Sequence, residues 1–192
     1  MKLLLASSNP GKLREYLELA RGTKVEIELL PNFSSFPAHE EDAPTFAENA
    51  AGKALHYSRF TDETVLADDS GLVVPALGGA PGVHSARYAG PGASDADRIQ
   101  KLLSEMEGKE DDTRRVRFVC VVAIAAQGRA LAVVSDMASG LLTREPLGAS
   151  GFGYDPVFLF EELGRTYAQL TPDEKNIYSH RGRAFRRLLY FI

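Results

Sequence analysis

The sequence predicts an α/β fold built on a mixed sheet, and three observations carry the prediction. Short apolar runs bounded by turn residues recur from the first residues onward. Two strong helix starts, Thr45-Phe46-Ala47-Glu48 and Thr171-Pro172-Asp173-Glu174, interrupt them, each pairing a capping Thr with a Glu three residues later. Two long apolar runs, Val116 to Ala126 and Arg129 to Ser135, flank Gln127-Gly128 as the arms of a β-hairpin. Alternation of strand and helix with a local hairpin is the pattern of a sheet with both parallel and antiparallel pairs.

Each element follows from its residues. Lys2 to Ala6 reads as a buried strand. Ser8 or Asn9 caps the helix after it, with Pro10 in the first turn, where a missing N–H costs nothing. Leu13, Tyr16, Leu17 and Ala20 then form an apolar stripe at helical spacing. Val25 to Leu30 is a strand, and "PNFSSFPAHEEDAP" (31–44) a loop with an acidic cluster. The helix opened by Thr45 runs to about Phe60 and places Asn49, Lys53 and His56 or Tyr57 on one face. Thr64 to Ala67 and Leu72 to Leu77 read as strands on either side of an Asp68-Asp69-Ser70-Gly71 turn. A Gly/Pro loop spans 78–92, and Ser94 with Asp97 opens a helix burying Ile99, Leu102, Leu103 and Met106. Beyond the hairpin, the loop "GASGFGYDP" precedes a short strand, Val157 to Phe160. The last helix starts near Ser179 and buries Ala184, Leu188 and Phe191.

Length and composition bound the function. The 192 residues suit one domain, residues 1–192, with two lobes and no separate linker. A net charge of −4, with only "TRRVR" and "RGRAFRR" as short basic patches, argues against long nucleic acid as a partner. The longest apolar run, Phe118 to Ala126, is too short to span a bilayer. The single Cys120, inside that run, fits a reducing cytoplasm.

Several short motifs point to phosphate chemistry without proving it one by one. In "LLLASSNPGK" a strand, a small-residue turn and Lys12 meet at a helix start, where unpaired N–H groups favour anions. The P-loop pattern would need Gly at Ala6 and Ser or Thr at Leu13, so a Walker-type ATPase is excluded. Asp68 and Asp69 end an apolar run, and alternating strand faces send their carboxylates to different sites. Glu40-Glu41-Asp42 offers a second carboxylate for Mg²⁺, which takes one or two from a protein and the rest of its shell from phosphates and water. "GFGYDP" joins two aromatics through glycine, a wall suited to a planar ring. Taken alone, each motif also reads as a cap, a surface lysine or a packed loop.

Together, SSNPGK (7–12), the 40–50 segment, ADDSGL (67–72), LGGAPGVHSARYAG (77–90), TREPLG with GFGYDPVF (143–158), LTPDEK (170–175) and SHRG (179–182) resemble the inosine triphosphate pyrophosphatase family over nearly the whole chain. One departure is Ser7-Ser8-Asn9, where that family often reads Thr-Gly-Asn. The resemblance implies an elongated mixed sheet flanked by helices, two lobes with a central cleft, and a cytoplasmic homodimer. It implies hydrolysis of dITP, ITP and XTP to the monophosphate and pyrophosphate. It implies Asp69 as the base that activates water, Glu41 and Asp69 at Mg²⁺, and a structural role for Asp68. The substrate would meet Ser7, Ser8, Asn9, Pro10, Gly11 and Lys12, with Lys53, Ser70 and Lys175. Phe152, Gly153, Tyr154, Asp155, His180 and Arg181 would surround the base, Phe152 stacking on it and His180, Arg181 and the loop amides reading its C6 oxygen. A pyrophosphatase for pyrimidine or modified nucleotides, and a catalytically silent nucleotide-binding module, are the alternatives.

Overall fold

The computed structural model describes residues 1–192. Seven strands form one sheet in the order β2-β1-β3-β4-β5-β6-β7: β1 Lys2–Leu5, β2 Glu26–Leu29, β3 Thr64–Val73, β4 Arg115–Ala126, β5 Arg129–Leu142, β6 Phe158–Phe160 and β7 Arg165–Thr166. The sheet is mixed, as the sequence predicts: β1 is parallel to both β2 and β3, whereas β6 is antiparallel to β5 and β7. Five helices accompany it: α1 Pro10–Ala20, α2 Phe46–Tyr57, α3 Asp95–Glu105, α4 Pro172–Tyr178 and α5 His180–Leu188. None is long and apolar enough to cross a membrane.

The chain forms two compact units. The first holds Met1–Asp69, Cys120–Asp136 and His180–Ile192, the second Ser70–Val119 and Met137–Ser179. In the first unit the alternation of β3 separates two cores. Leu66 packs with Leu3, Leu5, Tyr16, Cys120 and Phe185, while Val65 and Ala67 pack with Ala50, Ala54 and Val121. In the second unit Leu72, Leu102, Phe118, Phe158 and Tyr167 form a separate core, in which the Phe158 and Tyr167 rings lie 4.5 Å apart.

The predicted caps form. Thr45 accepts the Glu48 N–H, and Ser94 with Asp97 and Thr171 with Glu174 close reciprocal boxes. Four expectations are corrected. Asp68 to Gly71 make no turn, because β3 is continuous from Thr64 to Val73. Burying both carboxylates with partners lets an acidic pair sit inside a strand. The hairpin's second arm extends to Leu142. Leu17, on the predicted stripe of α1, is exposed, and so is Phe191, which lies past the end of α5. β7, two residues long, carried no pattern to read.

Candidate active site

In an open α/β sheet, ligands collect beyond the carboxyl ends of parallel strands. Here β1 ends at Leu5 and pairs Leu5 with Leu66, so Asp68 and Asp69 lie just past that register. The chain leaving β1 turns through Ser7 to Asn9 into α1, whose first turn brings Lys12 back toward β3. Asn9, not Ser8, is the cap, accepting the N–H groups of Gly11 at 2.8 Å and Lys12 at 3.3 Å. Two backbone donors expected to face phosphate therefore face Asn9. Ser8 needs no left-handed backbone, so the substitution for glycine there is tolerated.

The two aspartates separate as strand geometry requires. Asp68 points with Leu66 into the Tyr16 and Cys120 side, where it is fully buried. Lys12 Nζ lies 2.9 Å from its Oδ1, and Arg181 Nε and Nη2 each donate to its Oδ2 at 3.2 Å. Burial alone pushes the carboxyl pKa up, but Lys12 and then Arg181 more than reverse it and hold Asp68 well below the usual carboxylate range. Arg181 completes the network through an ion pair with Glu15 of α1, its guanidinium 2% exposed.

Asp69 points to the other face, toward α2. It is 8% exposed, and Asn49 Nδ2 donates to its Oδ2 at 3.0 Å. Burial raises its pKa, with Glu41 pushing the same way, against the Asn49 hydrogen bond and the Lys12 and Lys53 charges that lower it. Lys53, one turn beyond Asn49 on α2, pairs with Glu41 at 2.9 Å. Lys12, Glu41, Lys53, Asp68 and Asp69 are thus assembled in one unit. His180, at the start of α5 in the same unit, is buried. No group of three or more Asp, Glu, His or Cys gathers around a point. Glu41 and Asp69 instead form a pair of carboxylates close enough to interact electrostatically, an oxygen donor set fitting a hard dication that takes its remaining ligands from phosphate and water.

The second unit assembles the 151–155 loop with Lys175. Asp155 is its organiser: its Oδ2 accepts the Phe152 N–H at 2.8 Å and meets Lys175 in a buried ion pair. Gly151 has φ +79, and a Cβ there would lie 2.1 Å from Asp155 Oδ2, so no other residue fits. The Gly153 N–H donates to Asp95 at 2.7 Å. These contacts correct two expectations. The amides of Phe152 and Gly153 are spent on Asp155 and Asp95 rather than presented to a base. Tyr154 is buried in the core, its hydroxyl donating to the Ser85 carbonyl at 3.0 Å. Lys175, expected to meet substrate, pairs with Asp155 and lies 5.0 Å over the half-buried Phe152 ring. Ser70, half-buried at the start of this unit, follows Asp69 along β3.

Arg181 needs the largest correction. Its fork was expected to read a base, but the structure spends it on Glu15 and Asp68. Asn49, Glu15 and Asp95 were missed as site residues. Asn49 had a signal, since a buried amide four residues before Lys53 shares its helix face; Glu15 had none.

Residues 3–191 match the Ham1 family. A dITP/XTP pyrophosphatase of Geobacillus kaustophilus is 48% identical over 187 residues, covering 97% of this chain and 92% of that protein. Another, of Desulforamulus reducens, is 45% identical over 192 residues, covering 100% of this chain and 96% of its own. The structure of a HAM1 protein from Coxiella burnetii superposes with a TM-score of 0.87 at 42% identity, covering 99% of this chain and 97% of that one. With matches of this length and depth, the chain belongs to the Ham1 family.

Proposed function

We propose that this chain hydrolyses non-standard purine nucleoside triphosphates, dITP, ITP and XTP, to the monophosphate and pyrophosphate. The observation that carries the reading is Asp69: a buried carboxylate with a raised pKa, on β3 just past the carboxyl end of its parallel neighbour β1 and in the field of two lysines. Its near-full-length relatives named dITP/XTP pyrophosphatases supply the substrate class.

Each residue then has a chemical task. Asp69 takes the proton of the attacking water as the α–β phosphoanhydride bond breaks. Asn49 fixes the orientation of that carboxylate. Lys12 and Lys53 offset the charge that develops on the leaving pyrophosphate. Glu41 and Asp69 would hold Mg²⁺, which when bound polarises phosphate oxygens and lowers the pKa of water. Asp68 and Arg181 act on the site indirectly, Arg181 anchoring Asp68 and Asp68 anchoring Lys12. We assign the purine to the Phe152 ring, with Lys175 as the cation beside it. A hydrogen-bond donor there favours the C6 oxygen of hypoxanthine and xanthine over the amino group of adenine.

The test is Asp69→Asn, assayed for binding and turnover separately. Retained calorimetric binding of ITP with loss of pyrophosphate release supports the reading. Undiminished release removes Asp69 from catalysis, and binding without release in the wild type identifies the silent module.

A further inference from the structure

Helix α2 contains a glycine, Gly52, in its interior, where alanine would be favoured by helix propensity. A Cβ on Gly52 would lie 2.8 Å from His39 Nε2 and 3.0 Å from His39 Cε1. The missing side chain is therefore a notch, and the His39 imidazole occupies it.

The notch is one rung of a ladder. Residues 36 to 43 run along α2 against its direction, and contacts recur at each turn of the helix. Phe36 stacks on Phe60 at 4.8 Å, and the Pro37 carbonyl lies 2.7 Å from His56 Nε2. The His39 N–H donates to the Tyr57 hydroxyl at 3.3 Å, and its ring lies 5.6 Å from that of His56. Glu41 pairs with Lys53, and the Ala43 N–H donates to Asn49 Oδ1 at 3.0 Å. Asn49 in turn holds Asp69. Glu41 thus sits between the His39 rung and the Asn49 rung, and its place relative to Asp69 depends on both.

We propose that Gly52 and His39 form a lock that seats the 36–43 segment on α2 and so positions Glu41 beside Asp69, making both of them positioning residues. The positioning role rests on the reading of Glu41 and Asp69 as the Mg²⁺ carboxylates; the lock itself does not. An alanine at position 52 displaces the ring, loosens the segment on both sides of Glu41, and weakens the hold on the metal, while Asp69 keeps its Asn49 hydrogen bond and Lys12 its Asp68 ion pair.

The test is a double-mutant cycle of Gly52→Ala and His39→Ala with two readouts. Amide exchange of His39 and Ala43 reads the lock directly, and the half-saturating Mg²⁺ concentration against kcat for ITP reads its consequence. Gly52→Ala should lower protection of both amides by about ten-fold, the loss of one hydrogen bond's worth of closure. It should raise the half-saturating Mg²⁺ several-fold and leave kcat at saturating Mg²⁺ near that of the wild type. In the His39→Ala background the same alanine should change neither readout, and it should raise Tm by about 2–4 °C, because the helix then gains alanine with nothing to displace. Full protection in Gly52→Ala, or additive losses in the double variant, would overturn the lock. Lost protection with an unchanged Mg²⁺ requirement would overturn the positioning role. A wild type inactive on ITP would defeat the proposed function, and with it the positioning role, while the exchange cycle would still decide the lock.

Discussion

Replacing Asp68 by Asn probes the structure's most consequential ion pair. The carboxylate is fully buried, and it is shared by Lys12 and a guanidinium that is 2% exposed. Breaking one partner of a buried pair costs about 3–5 kcal/mol, because the other charge is left without compensation. Glu15 still holds Arg181, and the Lys12 side chain, 13% exposed, can turn outward, so the lower end applies. For a chain of this length, about 3 kcal/mol corresponds to a fall in Tm of about 6–12 °C. The pH dependence is a second signature. A carboxylate whose folded pKa is depressed stabilises fully above its unfolded pKa, near 3.8, and loses that contribution as pH falls toward its folded value. The gap between wild type and Asp68→Asn should stay constant from neutral pH down to about pH 5 and then narrow, by about 1.4 kcal/mol per unit below the unfolded pKa. Thermal melts and urea titrations across this range measure both. A variant melting within about 2 °C of wild type at neutral pH, or a gap that widens in acid, would refute the argument.

Asp69→Asn should behave in the opposite way: because burial raises the Asp69 pKa, its charge costs stability above that pKa, so the variant should melt no lower than wild type at neutral pH while losing turnover. A clear drop in Tm would show that the charge stabilises the fold. Lys12→Ala and Lys53→Ala should each lower kcat/KM for ITP by about ten-fold or more, the worth of one charge-assisted contact, and equal rates at low substrate would remove the lysine concerned from the phosphate site. Arg181→Lys keeps the charge but loses the fork, so it should lower Tm and reduce ITP and ATP turnover by the same factor; selective loss of ITP would restore Arg181 to base recognition.

The fold was legible where local chemistry decides structure. Asn9, Thr45, Ser94 and Thr171 cap the helices they were expected to cap or flank, because a side-chain oxygen next to an apolar stripe has little else to satisfy. The opposed faces of Asp68 and Asp69 followed from strand alternation. What stayed hidden depends on partners distant in sequence. Asp-Asp-Ser-Gly looks like a turn until Lys12, Arg181 and Asn49 supply what lets it remain a strand. Arg181 read as a base-recognising fork because its partner Glu15, 166 residues away, leaves no local trace. The "GFGYDP" loop advertised its aromatics, yet its organiser is Asp155, whose bonds to Phe152 and Lys175 no spacing reveals.

The most direct measurement is pyrophosphate release from dITP, ITP, XTP, GTP and ATP, with and without Mg²⁺, with the nucleotide product identified in each case. The account predicts that dITP, ITP and XTP give the monophosphate and pyrophosphate in equal amounts, only with Mg²⁺, and far faster than ATP. Orthophosphate with a diphosphate product, a pyrimidine substrate preferred over all of these, or ATP cleaved as fast as ITP would contradict it.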